Sequence, residues 1–427
     1  MLSRRAFIGM GGGVAAVAVG GTAAWRALID DRVHQAADAT TTTTTTTTSS
    51  TSTTAAPAAH PGRVLVVVQL GGGNDGLNTL VSVGDGRYYD NRPRLAIAEH
   101  DAVALPGLAG YGLNPALAAL APHWTQGRLG LVDGVGFPGQ SRSHFQASDT
   151  WWTASLDNTA RTGWLGRWLD AVGDPTDPLR AIALGAGSPA LVGERAQSTV
   201  VLDPTGFALS TPDGVDADGL AHAFLATAAP LSTDPVIAAA QGAVPGTLSS
   251  VHSLTPALTD VATPDAAIEE GDLTTLLGVA GRVIDLGLGT QIIVVSVGGF
   301  DTHANEAAAH PDLLADLATG LDRFLQAVDA QGRSDDVLVM TTSEFGRRVA
   351  ENGSGTDHGK ASVALLAGGP VVGGQLGGQA DLGPLDDGDL PVAIDTRSMY
   401  AAALDWLGGP TDELLGGTYD RHGLLKA

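Results

Sequence analysis

Five residues in this chain could share one kind of chemistry: Asp75, Asp301, His303, Glu344 and His358. Each stands at or just beyond the end of an apolar run, close to glycine. Carboxylates and neutral imidazoles suit zinc, manganese, magnesium or calcium, as one ion or two. The chain has no cysteine, which excludes disulfides, thiolate catalysis and Cys-bound zinc. A cation held by such ligands polarises a phosphoryl or sulfuryl oxygen and lowers the pKa of a bound nucleophile. Taken singly, each residue has a plainer reading, the histidines as core or loop groups and the aspartates as turn residues. Their joint placement at strand ends is what points to a metal.

The elements that must carry them are legible. Ile292–Val297 and Val337–Met340 are short β-branched runs. Between them Leu314, Leu317, Leu321, Phe324, Leu325 and Val328 recur at three- and four-residue steps. That pattern predicts strand, amphipathic helix, strand: a parallel βαβ unit buried on both faces. Ligands of open α/β sheets bind outside the carboxyl ends of the strands. VLVVVQL from Val64 predicts another buried strand, ending in GGGNDG. Gly71, Gly73 and Gly76 match the spacing of a dinucleotide fingerprint, but Asn74-Asp75 would set an anion where the pyrophosphate lies. Further strands are expected at GRLGLVDGVG, LRAIALG, STVVLDP and SVALLAGG, and helices at DLTTLLGVAGRVIDLGL and DTRSMYAAALDWLG. Asn114 and Pro115 open a helix over LNPALAALAPHW. Trp151, Trp152, Trp164 and Trp168 read as core or pocket wall. Ser143 falls at the start of a helix-like run, where partial positive charge favours an alkoxide or a bound anion; the same position suits a simple helix cap.

The 427 residues, 44% hydrophobic and 16% charged, suffice for one large core or two domains. A formal net charge of −23 argues against nucleic acid or anionic lipid as partner. Residues 1–39 contain SRRAFI before a Gly/Ala-rich apolar run. This resembles a twin-arginine export signal, cleaved near 23–24 or 36–39, and the run is too short and glycine-rich for a permanent membrane span. Residues 40–62 are a Thr/Ser-rich tether. The folded domain is expected over 63–427, with an inserted cap near 206–264.

The segments QLGGGNDGLNTLV, GDGRYYDNRPRLAI, GLNPALAAL, VGFPGQSRSHFQASDTWW, GGFDTH, MTTSEFGRRVAENGSGTDHG and DTRSMYAAALDWLG resemble a secreted bacterial family of unknown function with twin-arginine signals, within the alkaline phosphatase and sulfatase superfamily. The resemblance implies an α/β fold, a mostly parallel sheet sandwiched by helices. It implies Asp75 as a first-strand metal ligand, Asp301 and His303 as ligands after a later strand, Glu344 where relatives carry an Asp-His pair, and His358 as the last ligand. Ser143 would be the nucleophile. Arg142, His144 and Arg347 would contact substrate; His144 could instead join the ligands, and either arginine could be an ion pair. Glu344 is followed by Phe345 rather than histidine, which leaves a one-metal site open, and Asp357-His358 could be the displaced pair.

The reading that follows is an exported, metal-dependent hydrolase of phosphate or sulfate esters, extracellular, wall-associated or periplasmic. Its partners would be the twin-arginine machinery and a small or polymeric anionic ester. The rival is a non-catalytic cell-surface binding or structural protein with a degenerate site. A metal-free serine hydrolase lacks the G-x-S-x-G elbow around Ser143.

Overall fold

The computed structural model describes residues 60, 62–157, 159–205, 207, 217–229, 232–258, 272–377 and 381–426. The paired arginines, the threonine tract and part of the 206–264 span lie outside the described residues. Nine strands form the main sheet: β1 (Val64–Leu70), β4 (Leu129–Gly136), β5 (Ala181–Leu184), β6 (Thr199–Val201), β7 (Ile292–Val297), β8 (Val337–Thr342), β11 (Ser362–Gly368), β12 (Gly374–Gly377) and β13 (Ile394–Asp395). Two small ribbons complete the strands, β2 (Leu80–Val81) with β3 (Gly112–Leu113) and β9 (Arg347–Glu351) with β10 (Thr356–His358).

The strand order is β12-β4-β11-β8-β1-β7-β5-β6, with β13 beside β4. β1 lies at the centre, parallel to β7 on one side and β8 on the other. The expected β7–helix–β8 unit is therefore present, but β1 is inserted between its two strands. Among the described strands of this sheet β11 alone is reversed, antiparallel to both β4 and β8. Its amino end thus meets the carboxyl ends of its neighbours.

Alternation along β1 explains the layering. Val64, Val66, Val68 and Leu70 face one core with Leu314, Leu321 and Phe324. Leu65 and Val67 face another with Trp151, Trp164 and Trp168. Five helices supply most of the cover: α1 (His144–Thr153), α2 (Trp164–Ala171), α3 (Leu273–Asp285), α4 (Glu306–Ala330) and α5 (Thr396–Leu407). All six apolar positions of the α4 stripe are buried, each contributing roughly 1.5–3 kcal/mol on leaving water. Asp395 caps α5 by accepting from the Arg397 N–H. Asn114 caps its segment too, but that segment opens as a 3-10 helix, Pro115–Leu120, before one α-turn. Pro235–Leu258 forms a 24-residue helix in the span expected as a cap. Within the described residues no helix is long and apolar enough to cross a membrane.

The loop after β1 and the loop after β7 lock together at the rim. Phe300 N–H donates to Gly71 O at 3.1 Å. Gly72 has φ +123°, and a Cβ there would lie 2.2 Å from the Asp301 nitrogen. Both the conformation and the space demand glycine. Gly72→Ala is expected to cost at least about 2 kcal/mol, read as a lower denaturation midpoint, with weakened retention of any cation held by Asp301.

Candidate metal centre

Three loops and one ribbon converge outside the carboxyl ends of the parallel strands. The β4 end leads to Ser143 and His144, β7 to Asp301 and His303, β8 to Glu344, and β10 carries His358. His303 Nε2 and His358 Nε2 are 2.8 Å apart. Asp301 Oδ1 lies 3.3 Å from the first and 3.2 Å from the second. Asp301 Oδ2 is 3.4 Å from His144 Nε2, and the other nitrogen of His144 is 3.0 Å from Glu344 Oε1. His144, Asp301 and His358 each offer a ligand atom within 4.8 Å of the others.

The partners of the imidazoles decide what the nitrogens offer. His358 Nδ1 is 2.9 Å from the Arg142 carbonyl, which only accepts, so Nδ1 donates. His303 Nδ1 faces Asp357 Oδ1 at 3.1 Å and donates likewise. In their neutral forms both rings then present an Nε2 lone pair to one point. Two lone pairs and a carboxylate oxygen at such separations repel unless a positive charge sits between them. Ligands about 2.0–2.1 Å from a zinc ion lie roughly 2.9–3.4 Å from one another; the two contacts to Asp301, 3.3 and 3.2 Å, fall in that range, and the Nε2 pair at 2.8 Å lies just below it. The donor set fits a divalent cation, and Asp357 supplies the outer hydrogen bond that commonly orients a metal-bound histidine.

The electrostatics keep these groups in ligand form. Burial alone would raise Asp301, but the hydrogen bond and the charge of Arg347 outweigh it and hold the carboxyl below its ordinary value. Burial lowers His358, outweighing the raising effect of Asp301 and the Arg142 carbonyl, and so favours the neutral ring.

Asp75 does not join this group. Its side chain is 1% exposed, and Arg92 holds both of its oxygens. It forms a second, wholly buried cluster with Glu306 and His310. Burial and the Asp75 charge raise Glu306 to about 9, which favours its protonated form beside Asp75; it accepts from Thr356 Oγ1 at 2.7 Å. Burial lowers His310 to about 4, leaving it neutral, with Nε2 2.9 Å from Asn74 Oδ1. Nothing in the residues around Asp75 announced Arg92 as its partner. The Glu306–His310 pair stands at a four-residue step on the buried face of α4, a helical spacing that was open to notice.

The arginines expected at substrate are engaged elsewhere. Arg347 is fully buried and donates to the carbonyls of Gly72, Gly73, Phe300 and Thr356 and to Asp301 Oδ1. It ties the rim together from beneath and shows no face to solvent. Arg142 is paired with Asp387 and with the buried Asp389. Ser143 occupies the cap position of α1, yet its hydroxyl closes no cap hydrogen bond; it is exposed and immediately precedes His144.

Residues 280–425 match a family described as protein of unknown function (DUF1501). No curated protein matches the chain. Among solved structures, it is similar to a protein in the alkaline phosphatase superfamily from Vibrio parahaemolyticus, at 8% identity over 85% of this chain and 71% of that one, with a TM-score of 0.41. It is similar to the lipoteichoic acid synthase LtaP from Listeria monocytogenes, at 9% identity over 84% and 75%, TM-score 0.36. A third is the PsFucS1 sulfatase from Pseudoalteromonas sp., at 11% identity over 95% and 78%, TM-score 0.34.

The buried cluster has a pH signature. Glu306, raised from 4.5 to about 9, keeps its proton in the folded protein while the unfolded chain loses it above about 4.5. Stability should therefore fall as pH rises through that window. Asp75 has the opposite sign, its contribution being lost only in acid. Glu306→Gln mimics the protonated acid. Denaturant titrations between pH 5 and 9 should show the variant's stability with a flatter pH dependence, the slope removed being at most about 1.4 kcal/mol per pH unit.

Proposed function

We propose that this protein is an exported hydrolase of phosphate or sulfate esters dependent on one divalent cation. The observation that carries the reading is the pair of Nε2 atoms 2.8 Å apart, both directed at Asp301 by acceptors on their far nitrogens. The count of one follows from Asp75, whose charge is already balanced by Arg92. His144, Asp301, His303 and His358 would hold the ion, with Glu344 orienting His144. A cation there supplies Lewis acidity toward a phosphoryl or sulfuryl oxygen.

The chain's own part is to position and to attack. Ser143 stands at the amino end of a ten-residue helix, where unpaired N–H groups favour developing negative charge. Its Oγ would bond to phosphorus or sulfur as the bond to the alcohol oxygen breaks, the hydroxyl proton ending on the departing alkoxide. Water then cleaves the seryl ester and restores the hydroxyl. Arg4 and Arg5 ahead of the apolar run support export through the twin-arginine machinery, and the surplus of acidic side chains supports a substrate other than nucleic acid.

Elemental analysis of the purified protein should find about one equivalent of divalent metal. Asp301→Ala and His358→Ala should each lose it, by roughly 10–100-fold in affinity or more. p-Nitrophenyl phosphate or sulfate should be turned over and the activity abolished by chelation. Ser143→Ala should keep the metal while kcat falls at least about 100-fold. Metal retained with no turnover on a broad panel of phosphate and sulfate esters would overturn the hydrolase reading in favour of a cell-surface binding protein.

A further inference from the structure

A cavity of about 170 Å³ opens beside Glu344, outside the ends of the central strands. Gln69 from β1, Ser296 from β7, Ser148, Trp151 and Trp152 from α1, and Glu344 itself line it. We propose that it is the subsite for the alcohol half of the ester, and that this half is a single uncharged, hydroxylated ring of hexose size. The proposal rests on the hydrolase reading and names the substrate class of that same site.

The lining selects the ligand by three properties. Among the described residues no lysine or arginine lines it, so it is not built for the anionic half, which belongs with the cation. Its walls combine indole with scattered amide and hydroxyl groups. Trp151 is fixed, its N–H 3.3 Å from Gln140 Oε1, while Trp152 is half-buried. Ser296 Oγ donates to Gln69 Oε1 at 2.8 Å; this sets the amide and leaves its nitrogen as a donor without a protein partner among the described residues. A pyranose offers C–H faces to an indole and hydroxyls to such donors and acceptors. A plain aromatic alcohol would bury the same polar groups unpaired and incur the desolvation cost of each. Finally, the volume lies below the about 300–1,000 Å³ of drug-sized ligand sites, which admits one ring and not a run of them.

Glu344 joins the two halves. It lines the cavity and also accepts from Gly72 N–H at 2.8 Å and meets His144 at 3.0 Å. A ring seated against Trp152 would therefore direct its esterified oxygen toward the cation ligands.

The test has a binding arm and a turnover arm. Methyl glucoside, methyl galactoside and methyl mannoside are titrated into the metal-loaded protein, followed by tryptophan fluorescence and calorimetry, with phenol as the aromatic control. At least one hexoside should bind saturably and more tightly than phenol. Trp152→Ala and Gln69→Leu should each weaken it by at least about tenfold, and Trp152→Phe should largely restore it. In the second arm, kcat/KM for hexose 6-phosphates and 6-sulfates is compared with methyl phosphate and methyl sulfate. The preference for the hexose ester should fall at least about tenfold in Trp152→Ala. Failure of every hexoside to bind, tighter binding of phenol, or ester turnover without hexose preference would overturn the proposal. Hexoside binding lost in the variants but with no ester hydrolysed would leave the subsite standing and remove the hydrolase reading instead.

Discussion

One buried guanidinium sets the geometry of the rim. Arg347 has no exposed side-chain surface, so every donor must find its acceptor inside the protein or the burial of its charge becomes prohibitive. It finds them on the loop after β1, the loop after β7 and the start of β10. Those three segments cannot shift independently without stranding a charge. The 2.7 Å contact to Asp301 Oδ1 does two things together. It holds a ligand oxygen in place, and it helps keep that carboxyl ionised across the physiological range. The positioning of the cation ligands is thus a by-product of satisfying a cation that belongs to the chain itself.

The two acidic clusters show how a carboxylate's neighbours decide its use. Around Asp75 the charges close on themselves: Arg92 neutralises it, Glu306 stays protonated and His310 stays uncharged. Nothing there asks for an ion. Around Asp301, His303 and His358 donate Nδ1 hydrogen bonds to outside acceptors and turn lone pairs inward. Residues of the same type on loops of the same kind therefore end in different roles, one binding the fold together and one left with ligand capacity.

Much of the fold could be read from the chain because apolar periodicity is a local property. The β-branched run at Ile292–Val297 and the α4 stripe fall where their spacing puts them, and the run expected at Val337–Met340 continues to Thr342. What periodicity does not carry is order and direction. β1 enters between β7 and β8, and β11, buried on both faces, would show the same residues whichever way it ran. The site divides similarly. Asp301, His303 and His358 were visible as acids and imidazoles at strand ends, and His144 as a histidine at a helix start. Arg92 meeting Asp75 and Asp389 meeting Arg142 link positions 17 and 247 residues apart, and pairings of that kind leave no mark on the neighbouring sequence.

The reversal of β11 has a consequence for how this rim could diversify. A parallel neighbour would have forced the chain to travel back across the sheet before re-entering it. Because β11 sets out from the edge where β8 stops, the connection stays at that edge as a short arc, residues 343–361. Glu344, Arg347, Asp357 and His358 all ride on it. Lengthening or reshaping the outer part of that arc would alter what approaches the cation ligands without requiring any strand to change its neighbours, so new specificities have a route that leaves the layered core alone.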